Sequence, residues 1–171
     1  MDRCQECGFE YDLDDAESAG PGIVAGAARW AAVLDDDTSD LRRRPGPEVW
    51  SPLEYGCHVR DVLSVQRERV LTARRTDRPS FEPMGRDERV EHDGYAQQDP
   101  VAVARQLTDA AALLANVLAR LDGQDWERRV VYGYPAQLER SLRWVAMHTL
   151  HEVRHHLGDV RRPLAPDTGR G

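Results

Sequence analysis

At 171 residues the chain is long enough to bury one ordinary core, and its 40% hydrophobic content and four Trp argue against disorder. The formal charge of −7 argues against nucleic acid as a partner, because that binding rests on clustered positive charge. All 23 basic residues are Arg, which reports GC-rich codon usage rather than chemistry.

The opening stretch "MDRCQECGFEYDLDD" is polar and acidic, unlike a signal peptide. No run of about eighteen apolar residues follows, so no membrane span is expected. A cytoplasmic protein with its three Cys reduced is the expectation. Cys4 and Cys7 have the spacing of half a zinc knuckle. The other half is missing, so a complete site has to borrow Cys57, a His or a second chain. A redox pair and inert thiols are the alternatives, the first weakened because no strand precedes the motif. Residues 1–19 are set apart as a Cys-containing amino-terminal extension.

The first helix runs from about Gly22 to Leu34, Ala-rich and flanked by polar breakers. The second opens at "SPLE", where Ser51 caps, Pro52 suits the first turn and Glu54 completes a capping box. It extends to about Arg75, and Trp50 is placed as a staple onto it. Residues 76–98 read as a long charged connection with a short helical piece near Asp87 to His92. Asp99-Pro100 repeats the cap-plus-proline signal and opens a third helix to about Leu121. "RVVYGY" is β-branched and aromatic enough for a short extended piece. The fourth helix starts at Leu138 or Ser141 and runs to Val160, and residues 163–171 read as a disordered tail. With no strong strand pattern, an all-α bundle over residues 20–162 is expected. Trp30, Trp126 and Trp144 are assigned to packing.

Four of the six His fall between His148 and His156. On a helical wheel, Leu142, Ala146, Leu150, Val153, Leu157 and Val160 form the core stripe. Relative to Val153, His156 lies about 60° to one side, Glu152 about 100° and His148 about 140°. His151 and His155 lie about 160° away on either side, which sends them towards solvent. Glu152 and His156 therefore flank the buried stripe. On the second helix His58 sits on the corresponding shoulder, with Asp61 and Glu54 nearby. One His facing a Glu and a His four residues apart makes an N/O site suited to zinc or another first-row divalent metal. A solvated His-rich helix end complementing the helix dipole is the simpler reading of the same residues.

"WSPLEYGCHVRD" (Trp50 to Asp61), the charged connection and "HEVRHHLGDVRR" (His151 to Arg162) together resemble the DinB-like superfamily. That group, also called DinB/YfiT-like, includes mycothiol-dependent maleylpyruvate isomerases and bacillithiol S-transferases. The resemblance covers about residues 20–162. It implies an antiparallel four-helix bundle holding a divalent metal by three side chains. One of these is a His matching His58; the other two lie four residues apart on the last helix. Aligning "HHLGD" with the common His-Arg-Gly-Gln ending places the final ligand at His156 and the earlier one at Glu152. Most members carry His at that earlier position; the Glu-x-x-x-His pair matches the maleylpyruvate isomerase branch. The alternative register uses His151 and His155. A fourth ligand at His92 is also considered.

The resemblance implies a metal, zinc before nickel or manganese, that brings a low-molecular-weight thiol to an electrophile for S-transfer or isomerisation. A mycothiol-type thiol suits the high-GC composition. Asp61 and His148 are the candidate bases for a hydrolytic variant. Arg60, Arg67 or Arg69 could bind a substrate carboxylate, and Tyr132 and Tyr134 could line the mouth of the site. A non-catalytic metal- or ligand-binding stress protein is the competing class, and dimers are common in the resembling family.

Overall fold

The computed structural model describes residues 2–37, 39–133 and 137–161. In chain order the elements are α1 (Ala19–Leu34), α2 (Pro52–Arg75), β1 (Ser80–Phe81), α3 (Arg86–His92), α4 (Pro100–Leu118), α5 (Gly123–Glu127), β2 (Arg129–Tyr132), β3 (Leu138–Ser141) and α6 (Leu142–Arg161).

Local chemistry accounts for the helix starts. The Ser51 hydroxyl accepts from the Glu54 N–H at 3.3 Å, and the Glu54 carboxylate accepts from the Ser51 N–H at 2.8 Å. Both orphan donors at the head of α2 are thereby satisfied. Glu54 is buried, and Arg44 compensates its charge through a fork, with Nη2 2.6 Å and Nε 2.9 Å from the two carboxylate oxygens. Trp50 packs on Tyr55 with tilted rings and centroids 5.4 Å apart, the expected staple. Asp99 caps α4 by accepting from the Ala102 N–H at 2.8 Å.

The four long helices form a bundle in which α1 and α2 do not neighbour each other closely. Each packs instead against α4 and α6, so the two consecutive helices stand on a diagonal. The core between them is built from Trp30, Leu63, Leu107, Leu114, Leu142 and Val153, all essentially sealed from water. α4 is long and apolar enough by length and composition to cross a membrane. In this fold its stripe of Val103, Leu107, Ala111, Leu114 and Leu118 is covered by α1 and α2.

The seam between α1 and α6 is unusually close. A Cβ at Gly26 would stand 2.4 Å from Val153 Cγ1, so only Gly fits there. One turn later the buried Trp30 indole N–H donates to the Val153 carbonyl at 3.0 Å, fixing α6 against α1 at the turn that follows Glu152.

The expectation of an all-α bundle needs correction. A three-stranded sheet, ordered β1-β2-β3, joins the core through Val130 and Tyr132, β1 running parallel to β2 and β3 antiparallel. "RVVY" is the central strand. Leu138–Ser141, read above as the possible start of the last helix, is its antiparallel partner. β1 lies some fifty residues away in the sequence, and its two residues carry no pattern of their own. Pairings of this kind reward contact over distance, which local periodicity does not register.

The amino-terminal stretch packs onto the bundle as well. Phe9, Tyr11 and Leu13 lie against the core and Ala16 is fully buried.

Candidate metal centre

α2 and α6 bring His58, Glu152 and His156 together. His58 Nε2 lies 3.8 Å from Glu152 Oε2, and His156 Nε2 lies 3.5 Å from the same oxygen. Donors about 2.0–2.2 Å from one tetrahedral zinc stand about 3.3–3.6 Å apart. The His156–Glu152 pair falls in that range and the His58–Glu152 pair just beyond it, so a small closure lets two imidazoles and one carboxylate hold a divalent cation. The two imidazole rings meet edge to face at 5.1 Å. Trp50 wedges the outer side of His58 at 5.3 Å, and Tyr55 lies 5.1 Å from His156. The staple residue thus also fixes a ligand ring.

The electrostatics suit cation binding. Burial lowers the pKa of His58 and keeps it neutral, ready to offer a lone pair. Burial also works against a charged His156, but the Asp159 and Glu152 carboxylates outweigh it and raise that pKa to about 9. Glu152, despite its burial, is held well below the ordinary carboxylate range by His151, His156 and His58. Asp159 Oδ2 sits 3.0 Å from His156 Nδ1, the outer carboxylate that orients many metal-binding imidazoles.

The trio lies on the wall of a cavity of about 650 Å³, which His148, Gln66, Arg69, Tyr132 and Met84 also line. His148 is stacked on Trp144 at 4.5 Å, and its Nδ1 hydrogen-bonds the Tyr11 hydroxyl at 3.0 Å. Burial lowers its pKa to about 4, so it is neutral at physiological pH. Tyr132 accepts from Gln66 at 2.6 Å and from Arg69 at 2.9 Å. The Gln66 carbonyl oxygen is buried with no hydrogen-bond partner among the described residues.

Several expected site residues lie elsewhere. Asp61 faces away from the cavity, bonded to Arg60 at 2.8 Å, to the Tyr95 hydroxyl at 2.7 Å and to Arg89 at 3.1 Å. It clamps the connection between α2 and α4 and does not line the cavity. Arg60 belongs to that same clamp, reaching Gln98, Gln106 and Asp93. Arg69, two turns beyond the start of that cluster, lines the cavity, as does Arg86 from α3. His92 is exposed on α3, and Cys57 is buried with Leu53 and Tyr95 away from the other thiols. Tyr134 lies outside the described residues.

The wheel also misplaced His151, which is 8% exposed and covered by Phe9 at 5.3 Å and Tyr11 at 5.5 Å. A wheel reads one helix against its bundle and cannot see a segment from the other end of the chain. Phe9 and Tyr11, two aromatic residues spaced by two after the Cys pair, were the signal that this segment covers something. The same segment carries Cys4 and Cys7 to His151 and His155, whose donor atoms all lie within 4.8 Å of one another.

Comparison with known proteins places this geometry. The family model of the DinB superfamily matches residues 24–160. The chain belongs to the DinB superfamily. No curated protein sequence matches it. Among solved structures it resembles YfiT from Bacillus subtilis, with a TM-score of 0.74 and 14% identity over 94% of this chain and 90% of that one. YfiT is described as a probable metal-dependent hydrolase with an unusual four-helix bundle topology. At that identity the likeness shows the fold, which the diagonal placement of α1 and α2 accompanies here.

Proposed function

We propose that this DinB-superfamily chain is a divalent-metal-dependent enzyme that activates a low-molecular-weight thiol, of the mycothiol type, for S-transfer or isomerisation. The observation that carries the proposal is the convergence of His58 Nε2, Glu152 Oε2 and His156 Nε2 on the wall of a cavity of about 650 Å³. Two imidazoles and a carboxylate favour zinc, with nickel or manganese as the alternatives. A bound cation lowers the pKa of a thiol or water brought to it and offsets negative charge on an electrophile.

The remaining work falls to the side chains around it. Arg69, with its guanidinium 4.8 Å from the Tyr132 ring centroid, presents a cation that can hold a substrate carboxylate by two parallel hydrogen bonds. Gln66 offers its free carbonyl oxygen to a donor on the bound molecule. His148, neutral and bonded to Tyr11, is placed to take a proton from an attacking group. Val62, Val65 and Met84 give the cavity an apolar wall that limits water.

A second reading is hydrolysis, with water as the nucleophile and His148 as its base; the description of YfiT favours it. Zinc-loaded protein incubated with mycothiol and a panel of electrophiles, and separately with ester and amide substrates, separates the two. Thiol consumption that disappears in Glu152→Gln supports the leading reading. Hydrolysis without thiol dependence replaces it. Absence of both turnover and thiol binding by calorimetry removes enzymatic function from the site.

A further inference from the structure

The amino-terminal segment is folded as a knuckle. The Cys4 N–H donates to the Phe9 carbonyl and the Gly8 N–H to the Cys4 carbonyl, each at 2.9 Å. Gly8 turns the chain at φ +74, a left-handed conformation that favours Gly, and Arg3 bridges Glu10 in antiparallel fashion. This turn sets Cys4 and Cys7 side by side. The half-site missing from the sequence motif is supplied by α6: His151 and His155 stand one turn apart, an H-x3-H spacing opposite C-x2-C. Cys4 Sγ is 3.8 Å from His155 Nδ1.

A second observation points to a ligand. His151 is more than nine-tenths buried, and neither ring nitrogen has a hydrogen-bond partner among the described residues. Its Nδ1 lies 3.4 Å from Glu152 Oε1 without the geometry of a bond. Buried polar atoms are rarely left in that state. His155 has the opposite arrangement: its Nε2 faces Glu6 at 3.3 Å and Asp159 at 3.5 Å, leaving Nδ1 for the thiol side. A carboxylate on the far nitrogen is the usual outer partner of a zinc-bound imidazole.

We propose that Cys4, Cys7, His151 and His155 form a structural zinc site, separate from the His58–Glu152–His156 centre. Two thiolates and two imidazoles fill a tetrahedral shell and leave no position for a substrate. On binding, the two thiols release their protons to solvent. The site ties the first residues of the chain to the last helix. Cys4, Gln5 and Glu6 form part of the cavity rim, and Tyr11 reaches His148, so the zinc holds one wall of the cavity in place.

Cobalt titration of the reduced, metal-free protein tests this, because thiolate ligands give cobalt a strong near-ultraviolet charge-transfer absorption. The wild type is expected to show that band, and Glu152→Gln to retain it. Cys4→Ser/Cys7→Ser and His151→Ala/His155→Ala are expected to lose it. Elemental analysis of zinc-loaded protein should fall from two ions per chain to one in the Cys variant. A measurement on the unaltered chain guards against misfolded variants: alkylation of Cys4 and Cys7, mapped by mass spectrometry, should be suppressed by zinc and restored by a chelator. The proposal is overturned if the wild type shows no charge-transfer band, if the band survives removal of both His, or if alkylation ignores zinc. Failure of the His58 centre alone would instead lower the zinc count by one and leave the band intact.

Discussion

Replacing Gly26 by Ala is a sharp test of the packing, because sequence and structure predict opposite signs. By helix propensity alone the change should stabilise α1 by about 0.8–1 kcal/mol. In the structure the new methyl would meet Val153 Cγ1 at 2.4 Å, against about 3.5–4.0 Å for an ordinary carbon contact. Val153 is β-branched and on a helix, so it has little rotamer freedom with which to yield. Overpacking of this kind costs about 1–3 kcal/mol, and the overlap here puts the substitution at the upper end of that range. Net of propensity, the variant should lose about 1–2 kcal/mol, lowering Tm by about 2–8 °C for a chain of this size. Thermal unfolding followed by circular dichroism should be run on Gly26→Ala, Val153→Ala and the double variant. With Cγ1 removed, Gly26→Ala should become neutral or stabilising, a coupling of about 1–3 kcal/mol. A higher Tm for Gly26→Ala alone, or the same loss in both backgrounds, would refute the close approach of α1 and α6. Because Val153 follows Glu152 in the chain, the displacement should also weaken metal binding at the trio.

Two further outcomes follow from side chains around the site. Arg60, Tyr95 and Arg89 outweigh burial and hold Asp61 below its ordinary pKa, so its carboxylate stabilises the fold above about pH 4 and that contribution fades as the pH falls through the depressed value. Asp61→Asn should therefore be less stable than the wild type at pH 7 and show a flatter loss of urea midpoint between pH 5 and 3; unchanged pH dependence would exclude the clamp. Asp159→Asn removes the carboxylate behind His156 and should weaken zinc binding at the trio by about 10–100-fold in calorimetry, an unaltered affinity meaning that His156 needs no such partner.

The features legible from sequence were those written in adjacent residues. Ser51 with Glu54 and Asp99 with Pro100 announce α2 and α4, because a cap is satisfied within one turn. The Glu152–His156 ridge was legible because helical spacing fixes which side chains share a face. Its meeting with His58 rested on the family resemblance as much as on the wheel. That Asp61 and Arg60 lie off the cavity was not legible, because their partners, Tyr95, Arg89 and Gln98, come from the charged connection that reads as featureless. The small sheet and the cover over His151 were hidden for a related reason: both join segments with no shared periodicity.

The spread of the ligands over the amino-terminal turn, α2 and α6 governs when this chain can acquire its ions. No hairpin of consecutive helices presents a ligand set: His58 waits for α6, and Cys4 for His155, a partner 151 positions away. A nascent chain therefore emerges with neither ligand set complete until its last helix has been synthesised and docked. Metal cannot seed the assembly; it can only lock what collapse has already brought into register, and its stabilising effect grows with the free ion concentration after that point. Loss of the final helix would accordingly strip both centres at once.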